Sequence, residues 1–166
     1  YQEVVAEKNR NRARAMLLEG LGAPLTSLGY RLFWMREGDD SGLVNAVEID
    51  INITRYKLRI GLSSLIGMRA IQYQNDLVFL EHLSFGIQWP RRFSPYVVAR
   101  GGLGVLAKGE TDTGSSTDLL TSVGAEVGID SWITPWISIA PSVGYERTMT
   151  YDNGWDSLTV KISVGF

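Results

Sequence analysis

The chain has 166 residues, enough for one domain, and its 16 basic and 18 acidic side chains leave a net charge of −2, with no electrostatic footprint for nucleic acid. It has no cysteine and one histidine, which excludes disulfide frameworks, thiol chemistry and zinc sites built from cysteines or several histidines. The longest charge-free run, Ser131 to Tyr145, contains Pro135 and Pro141 and is shorter than the roughly 18 to 20 apolar residues of a transmembrane helix.

Residues 1–24 admit two readings, an amphipathic helix over Gln2 to Glu19 or an extra strand over Ala15 to Gly22 that turns at Ala23 and Pro24. Their basic run from Lys8 to Arg14 suits anionic headgroups. The chain opens without a basic segment leading into an apolar one, so a secretory leader is expected to be either absent or already removed.

From Leu25 onward the pattern has period two, the signature of strands with unlike faces. Leu28, Tyr30, Leu32 and Trp34 alternate with Gly29, Arg31, Phe33 and Met35. Val47, Ile49, Ile51 and Ile53 then alternate with Glu48, Asp50 and Asn52. Tyr56, Leu58, Ile60 and Leu62 follow, set against Lys57, Arg59, Gly61 and Ser63, with Thr54 and Arg55 as the expected hairpin turn. The next two runs place Leu83, Phe85, Ile87 and Trp89 opposite His82, Ser84, Gly86 and Gln88, then Val97, Ala99, Gly101, Leu103 and Val105 opposite Tyr96, Val98, Arg100, Gly102 and Gly104. After a polar loop, Val123, Ala125, Val127 and Ile129 face away from Gly124, Glu126, Gly128 and Asp130. Ile137, Ile139, Val143 and Tyr145 oppose Ser138, Ala140, Ser142, Gly144 and Glu146, and a last run sets Leu158, Val160, Ile162, Val164 and Phe166 against Thr159, Lys161, Ser163 and Gly165.

The second face decides the class. A soluble sandwich or a lipocalin-like barrel also alternates, but its wet face is dense in long polar residues. Here that face is rich in Gly, Ser and Ala with isolated charges, as the narrow interior of a closed barrel requires. Aromatic residues fall in two groups beside turns, as in interfacial belts: Tyr56, Trp89, Phe93, Tyr96, Trp132, Trp136 and Phe166 in one, Trp34, Tyr73, Phe79, Tyr145, Tyr151 and Trp155 in the other. Short turns at 54–55, 90–94 and 131–135 contrast with longer loops expected at 67–76 and 108–117. The expectation is an all-β fold: a closed antiparallel up-and-down transmembrane β-barrel of about eight strands over residues 25–166, preceded by an arm or helix over 1–24.

On these features, and on its last strand from Thr159 to Phe166, the chain resembles the small eight-stranded outer-membrane barrels of Gram-negative bacteria, the OmpA-like and OmpX-like group. The alternating Val160, Ile162, Val164 and terminal Phe166 look like that group's assembly signal, although Lys161 stands where glycine is common and Val164 where an aromatic is common. The resemblance implies a bacterial outer-membrane location, with membrane lipid, lipopolysaccharide and the barrel-assembly machinery as partners.

Arg31, Glu48, Asp50, Lys57, Arg59, Arg100, Glu126, Asp130, Glu146 and Lys161 share the inward face, where matched charges form a plug of salt bridges more readily than a conducting path. The function expected is non-enzymatic: a structural, adhesive or lipid-organising barrel. The alternative is a hydrolase. His82 and Ser84 lie two apart on one strand face, similar to the His-x-Ser of outer-membrane lipid A deacylases, which implies His82 as base and Ser84 as nucleophile. Phe85 and Gly86 follow where that family has Asn and Ala. Small outward residues Ala99, Gly101 and Ala125 form a candidate protomer contact for a homo-oligomer. No metal site, cofactor fingerprint or phosphate loop is expected, since Gly101, Gly102 and Gly104 lie inside a strand.

Overall fold

The alternation becomes eight antiparallel strands in the computed structural model, which describes residues 24–37, 40–71, 74–109, 116–134, 136–151 and 153–166. The strands are β1 (Thr26–Glu37), β2 (Asp40–Arg55), β3 (Leu58–Ile71), β4 (Gln74–Gln88), β5 (Phe93–Ala107), β6 (Thr117–Trp132), β7 (Ser138–Met149) and β8 (Gly154–Gly165). Each pairs with the next. β1 also pairs with β8, from Ser27 opposite Gly165 to Arg36 opposite Asp156, and this closes the barrel. Closure removes the unpaired edges that an open sheet would present. The reading of residues 1–23 as a helix, arm or extra strand lies outside the described residues.

The end where β1 begins and β8 finishes, the near end, carries the connections 56–57, 89–92 and 133–137. The far end carries 38–39, 72–73, 108–116 and 150–153. Two expectations about turns are corrected. The hairpin between β2 and β3 turns at Tyr56 and Lys57 rather than at Thr54 and Arg55, because Arg55 still pairs with Leu58. Tyr56 takes a left-handed φ of 58° to make that turn, a region that favours glycine. The expected loop over 67–76 is mostly strand, since the ladder runs on to Ile71 opposite Gln74. The difference in loop length between the two ends therefore rests on 108–116 alone.

Side chains alternate cleanly across the wall; in β8 every odd residue from Trp155 to Gly165 is buried and the even ones face out. Leu58, Ile87, Val127 and Ile162 project outward and are 40 to 58% exposed, the reverse of a soluble barrel that lines its lumen with aliphatics. The interior has two zones. Toward the near end and at mid-height it is polar and charged, while toward the far end Phe33, Met35, Val44, Leu65, Val78, Leu80, Leu106, Leu120 and Trp155 pack into an apolar plug. Three aromatics assigned to the belts, Tyr96, Trp132 and Trp155, point inward and are buried. Tyr56, Trp89, Phe93, Trp136 and Phe166 stay exposed at the near end, and Trp34 and Tyr151 at the far end.

β4 and β5 approach through glycine. A Cβ on Gly104 would lie 2.0 Å from the carbonyl oxygen of Phe79, and one on Gly86 2.0 Å from that of Val97, so neither position accepts a side chain without moving backbone. A Cβ on outward-facing Gly101 meets nothing nearer than Ser122 O at 3.9 Å. Gly104→Ala is therefore expected to destabilise the barrel by about 1–3 kcal/mol, and Gly101→Ala by less than about 0.5 kcal/mol. Urea unfolding in detergent checks this, and equal shifts for the two variants would contradict the packing described.

Candidate functional site

The inward positions of β1, β2, β5 and β6 place four charged side chains on opposite walls at mid-height, where they meet across the lumen. Arg31 donates from Nε to Glu48 Oε2 and from Nη2 to Glu126 Oε2. Arg100 donates from Nη2 to Glu48 Oε1 and from Nη1 to Glu126 Oε2, both at 2.6 Å. The result is a closed ring, Arg31–Glu48–Arg100–Glu126, in which each guanidinium bridges both carboxylates. Lys161 adds a third cation, 2.7 Å from Asp50 Oδ2 and 3.4 Å from Glu48 Oε1. Neutral groups complete the shell: Tyr96 OH donates to Glu126 at 2.9 Å, Ser27 Oγ to Asp50 at 2.9 Å, and Arg100 donates to Ser63 Oγ at 3.1 Å. Three cations thus face three carboxylates. Such pairing is required, because a buried charge without a partner costs several kcal/mol.

Two further pairs flank this cluster. Toward the near end Arg59 donates to Asp130 at 2.8 Å and lies over the Tyr96 ring, 4.0 Å from its centroid, while Gln88 donates to the same Asp130 oxygen at 2.6 Å. On the other side, His82 Nε2 lies 3.0 Å from Glu146 Oε1. At the far end Arg69 donates twice to Asp76 Oδ2, at 3.0 and 2.7 Å, and stacks on Trp155 above the apolar plug. The void within the plug measures about 10 Å³, at most one water molecule. Arg31, Glu48, Leu65, His82 and Leu120 are no more than 1% exposed, whereas a water-filled passage at their level would wet them.

The structure therefore gathers Arg31, Glu48, Asp50, Arg100, Glu126 and Lys161 into one cluster, Arg59 into a second with Asp130, and Glu146 into a third with His82. Lys57 is corrected: it sits exposed in the Tyr56–Lys57 turn, outside the lumen. A turn at Thr54 and Arg55 would set Asp50 opposite Arg59, but the observed register sets Arg59 opposite Thr54 and Asp50 opposite Ser63, and Asp50 instead pairs with Lys161. His82 and Ser84 share the inward face, but the Ser84 hydroxyl donates to Gly61 O at 3.3 Å, and the His82 ring is fully buried against Glu146. Both side chains thus lie on the luminal side of the wall. Among the described residues no group of three His, Cys, Asp or Glu side chains could hold a metal ion.

Outside, Val160, Ile162, Val164 and Phe166 all face outward on the last strand, and Ala99 pairs with Ala125 on adjacent strands with Gly101 one step along. Beside them Val97, Ala125, Val127, Val143, Tyr145, Leu158 and Val160 line an apolar surface groove of about 490 Å³. Two features escaped the sequence reading. The apolar plug was marked by places where both faces are apolar, as in Phe33-Trp34-Met35 and Val78-Phe79-Leu80. Glu81 belongs to the outward series Leu77, Phe79, Leu83, Phe85 and Ile87, and extending that alternation two residues upstream from Leu83 exposes it.

Neither a protein-family model nor a curated protein sequence matches the chain. Its backbone is similar to that of solved barrels. Neisserial surface protein A superposes with a TM-score of 0.68 at 13% identity, over 85% of this chain and 96% of the other. The outer membrane enzyme PagL gives 0.56 at 15% identity over 84% and 99%, and Ail, the attachment invasion locus protein of Yersinia pestis, 0.53 at 13% over 84% and 95%. The fold is thus that of the small eight-stranded outer-membrane barrels.

Removing one member of the charge ring should leave its partners under-compensated. Arg31→Met is expected to lower stability by about 3 kcal/mol. Adding Glu48→Gln should recover part of that loss, with a coupling energy of at least about 1 kcal/mol in a double-mutant cycle. Simple additivity of the two variants in urea unfolding would contradict the ring.

Proposed function

We propose that this chain is a bacterial outer-membrane barrel that organises lipid at its outer surface and neither conducts nor catalyses. The observation that carries this reading is the reversed polarity of the wall: aliphatic side chains outside, paired charges inside. Hydrocarbon is the solvent that favours such a surface, since it rewards exposed aliphatics and forbids an open sheet edge. Strands of 12 to 16 residues are long enough for a tilted crossing, and exposed aromatics sit near both ends, as interfacial anchors do. The one long loop, 108–116, lies at the far end, which supports a periplasmic position for the near end, and outward-facing Val160, Ile162, Val164 and Phe166 suit recognition by the assembly machinery.

Lipopolysaccharide is the lipid that the far end fits best. Arg36, Asp156 and Arg147 hold neighbouring register positions on the outer faces of β1, β8 and β7. Tyr145 OH donates to Asp156, and Arg147 Nη1 stands 3.7 Å from it. Two residues below them Tyr145 and Leu158 enter the 490 Å³ groove. A phosphate at the arginines and an acyl chain in the groove would use both features at once.

In planar bilayers the protein is expected to give no stepwise current, and lipid A incubated with it should remain unchanged. Lipopolysaccharide carried through purification in mild detergent should fall several-fold in Arg147→Glu. Stepwise conductance, lipid A cleavage, or retention indifferent to Arg147→Glu would each contradict the reading.

A further inference from the structure

Among the described residues Glu81 is the one charged side chain on the outer face away from the two ends of the barrel. It is the eighth of the 15 residues of β4, and Ser64, its cross-strand partner, is the seventh of 14 in β3, so both stand at mid-height. The Ser64 hydroxyl lies 2.7 and 2.8 Å from the two carboxyl oxygens of Glu81. One hydroxyl proton serves both oxygens, which leaves most of the carboxyl's acceptor capacity unused. If hydrocarbon surrounds the barrel, as proposed above, this group faces the one environment that offers it no further partner. An ionisable side chain at that depth marks a functional surface by default.

Beside it lies a shallow depression of about 270 Å³, with Gly101 as its floor and Leu62, Leu83 and Leu103 around it. Leu103 is the partner of Glu81 and Gly101 the partner of Leu83, so polar pair and depression are adjacent on the same face. Small residues on a lipid-facing surface let another backbone come close.

We propose that this face, Ser64 and Glu81 with the depression over Gly101, is the contact between two copies of the chain. A two-fold axis along the membrane normal preserves depth, so the mid-height pair of one copy meets the mid-height pair of the other. Such an interface is self-complementary. At such a contact the polar pair of one copy comes within hydrogen-bonding reach of the pair of the other, which hydrocarbon does not offer. An acyl chain offers no hydrogen-bonding group at this depth, so lipid packed here would leave the carboxyl as it is in the monomer. Ala99, on the same strand as Gly101, extends the flat approach toward the near end.

The chain has no cysteine, so one introduced thiol is unique. With the full-length chain in bacterial outer membranes, Leu83→Cys should oxidise to a disulfide-linked species of twice the mass, at several-fold higher yield than Ile162→Cys on the opposite wall. In the Leu83→Cys background, Gly101→Leu and Glu81→Leu should each lower that yield at least five-fold. Neither should harm folding, because the space over Gly101 is open and Glu81→Leu only removes a polar group from the outer face; heat-dependent gel mobility checks this. A folded Leu83→Cys that stays monomeric overturns the proposal. So does a cross-link to a protein of another size, or a dimer yield indifferent to Gly101→Leu. A wild-type chain that does not fractionate with outer membranes would overturn the membrane reading instead, and the two failures are thereby distinct.

Discussion

An eight-stranded barrel leaves an interior just wide enough for its own side chains, so whatever lies inside must fill that space and satisfy itself. The ring of Arg31, Glu48, Arg100 and Glu126 answers that constraint. Its members come from strands on different sides of the wall, and it ties those sides together through the centre as a packed core would. Every charge in it has at least two opposite partners, which lets four ionised groups occupy a volume nearly closed to water.

The rest of the architecture follows from that inner demand. With the charges turned inward, the alternate, aliphatic residues of each strand are turned outward. The far-end plug around Leu65, Leu80 and Leu120 seals the space that the charges leave, and Arg69, stacked on Trp155, caps it. A lumen so filled has no room for a substrate or a current. Among the described residues, the features open to another molecule lie on the outer face: the apolar groove by Ala125, the Arg147–Asp156 pair, and the Ser64–Glu81 pair.

Period-two alternation made the strands, their facing and the identity of most buried charges legible in the sequence, because each residue's face is set by parity alone. Pairing was not legible. Arg31 reaches Glu126 across 95 positions only after the barrel has closed, and no local pattern encodes that contact. A turn displaced by two residues, with Tyr56 in a left-handed conformation, moved Lys57 out of the lumen and Arg59 away from Asp50. For the inward aromatics Tyr96, Trp132 and Trp155 two signals conflict: closeness to a turn suggests a belt position, whereas parity places them inside, and parity prevails. Glu81 was overshadowed by its neighbour His82, whose side chain points to the opposite face.

Methyl NOE spectroscopy of the protein in lipid nanodiscs reports which methyl groups of the wall meet lipid. Methyl groups of Leu58, Ile87, Val127 and Ile162 should show contacts to acyl-chain protons, while those of Val44, Leu65, Leu80 and Leu120 should show contacts only to one another and to other protein side chains. Acyl-chain contacts at Leu65 or Leu120, or mutual contacts among Leu58, Ile87, Val127 and Ile162 without lipid, would contradict the account.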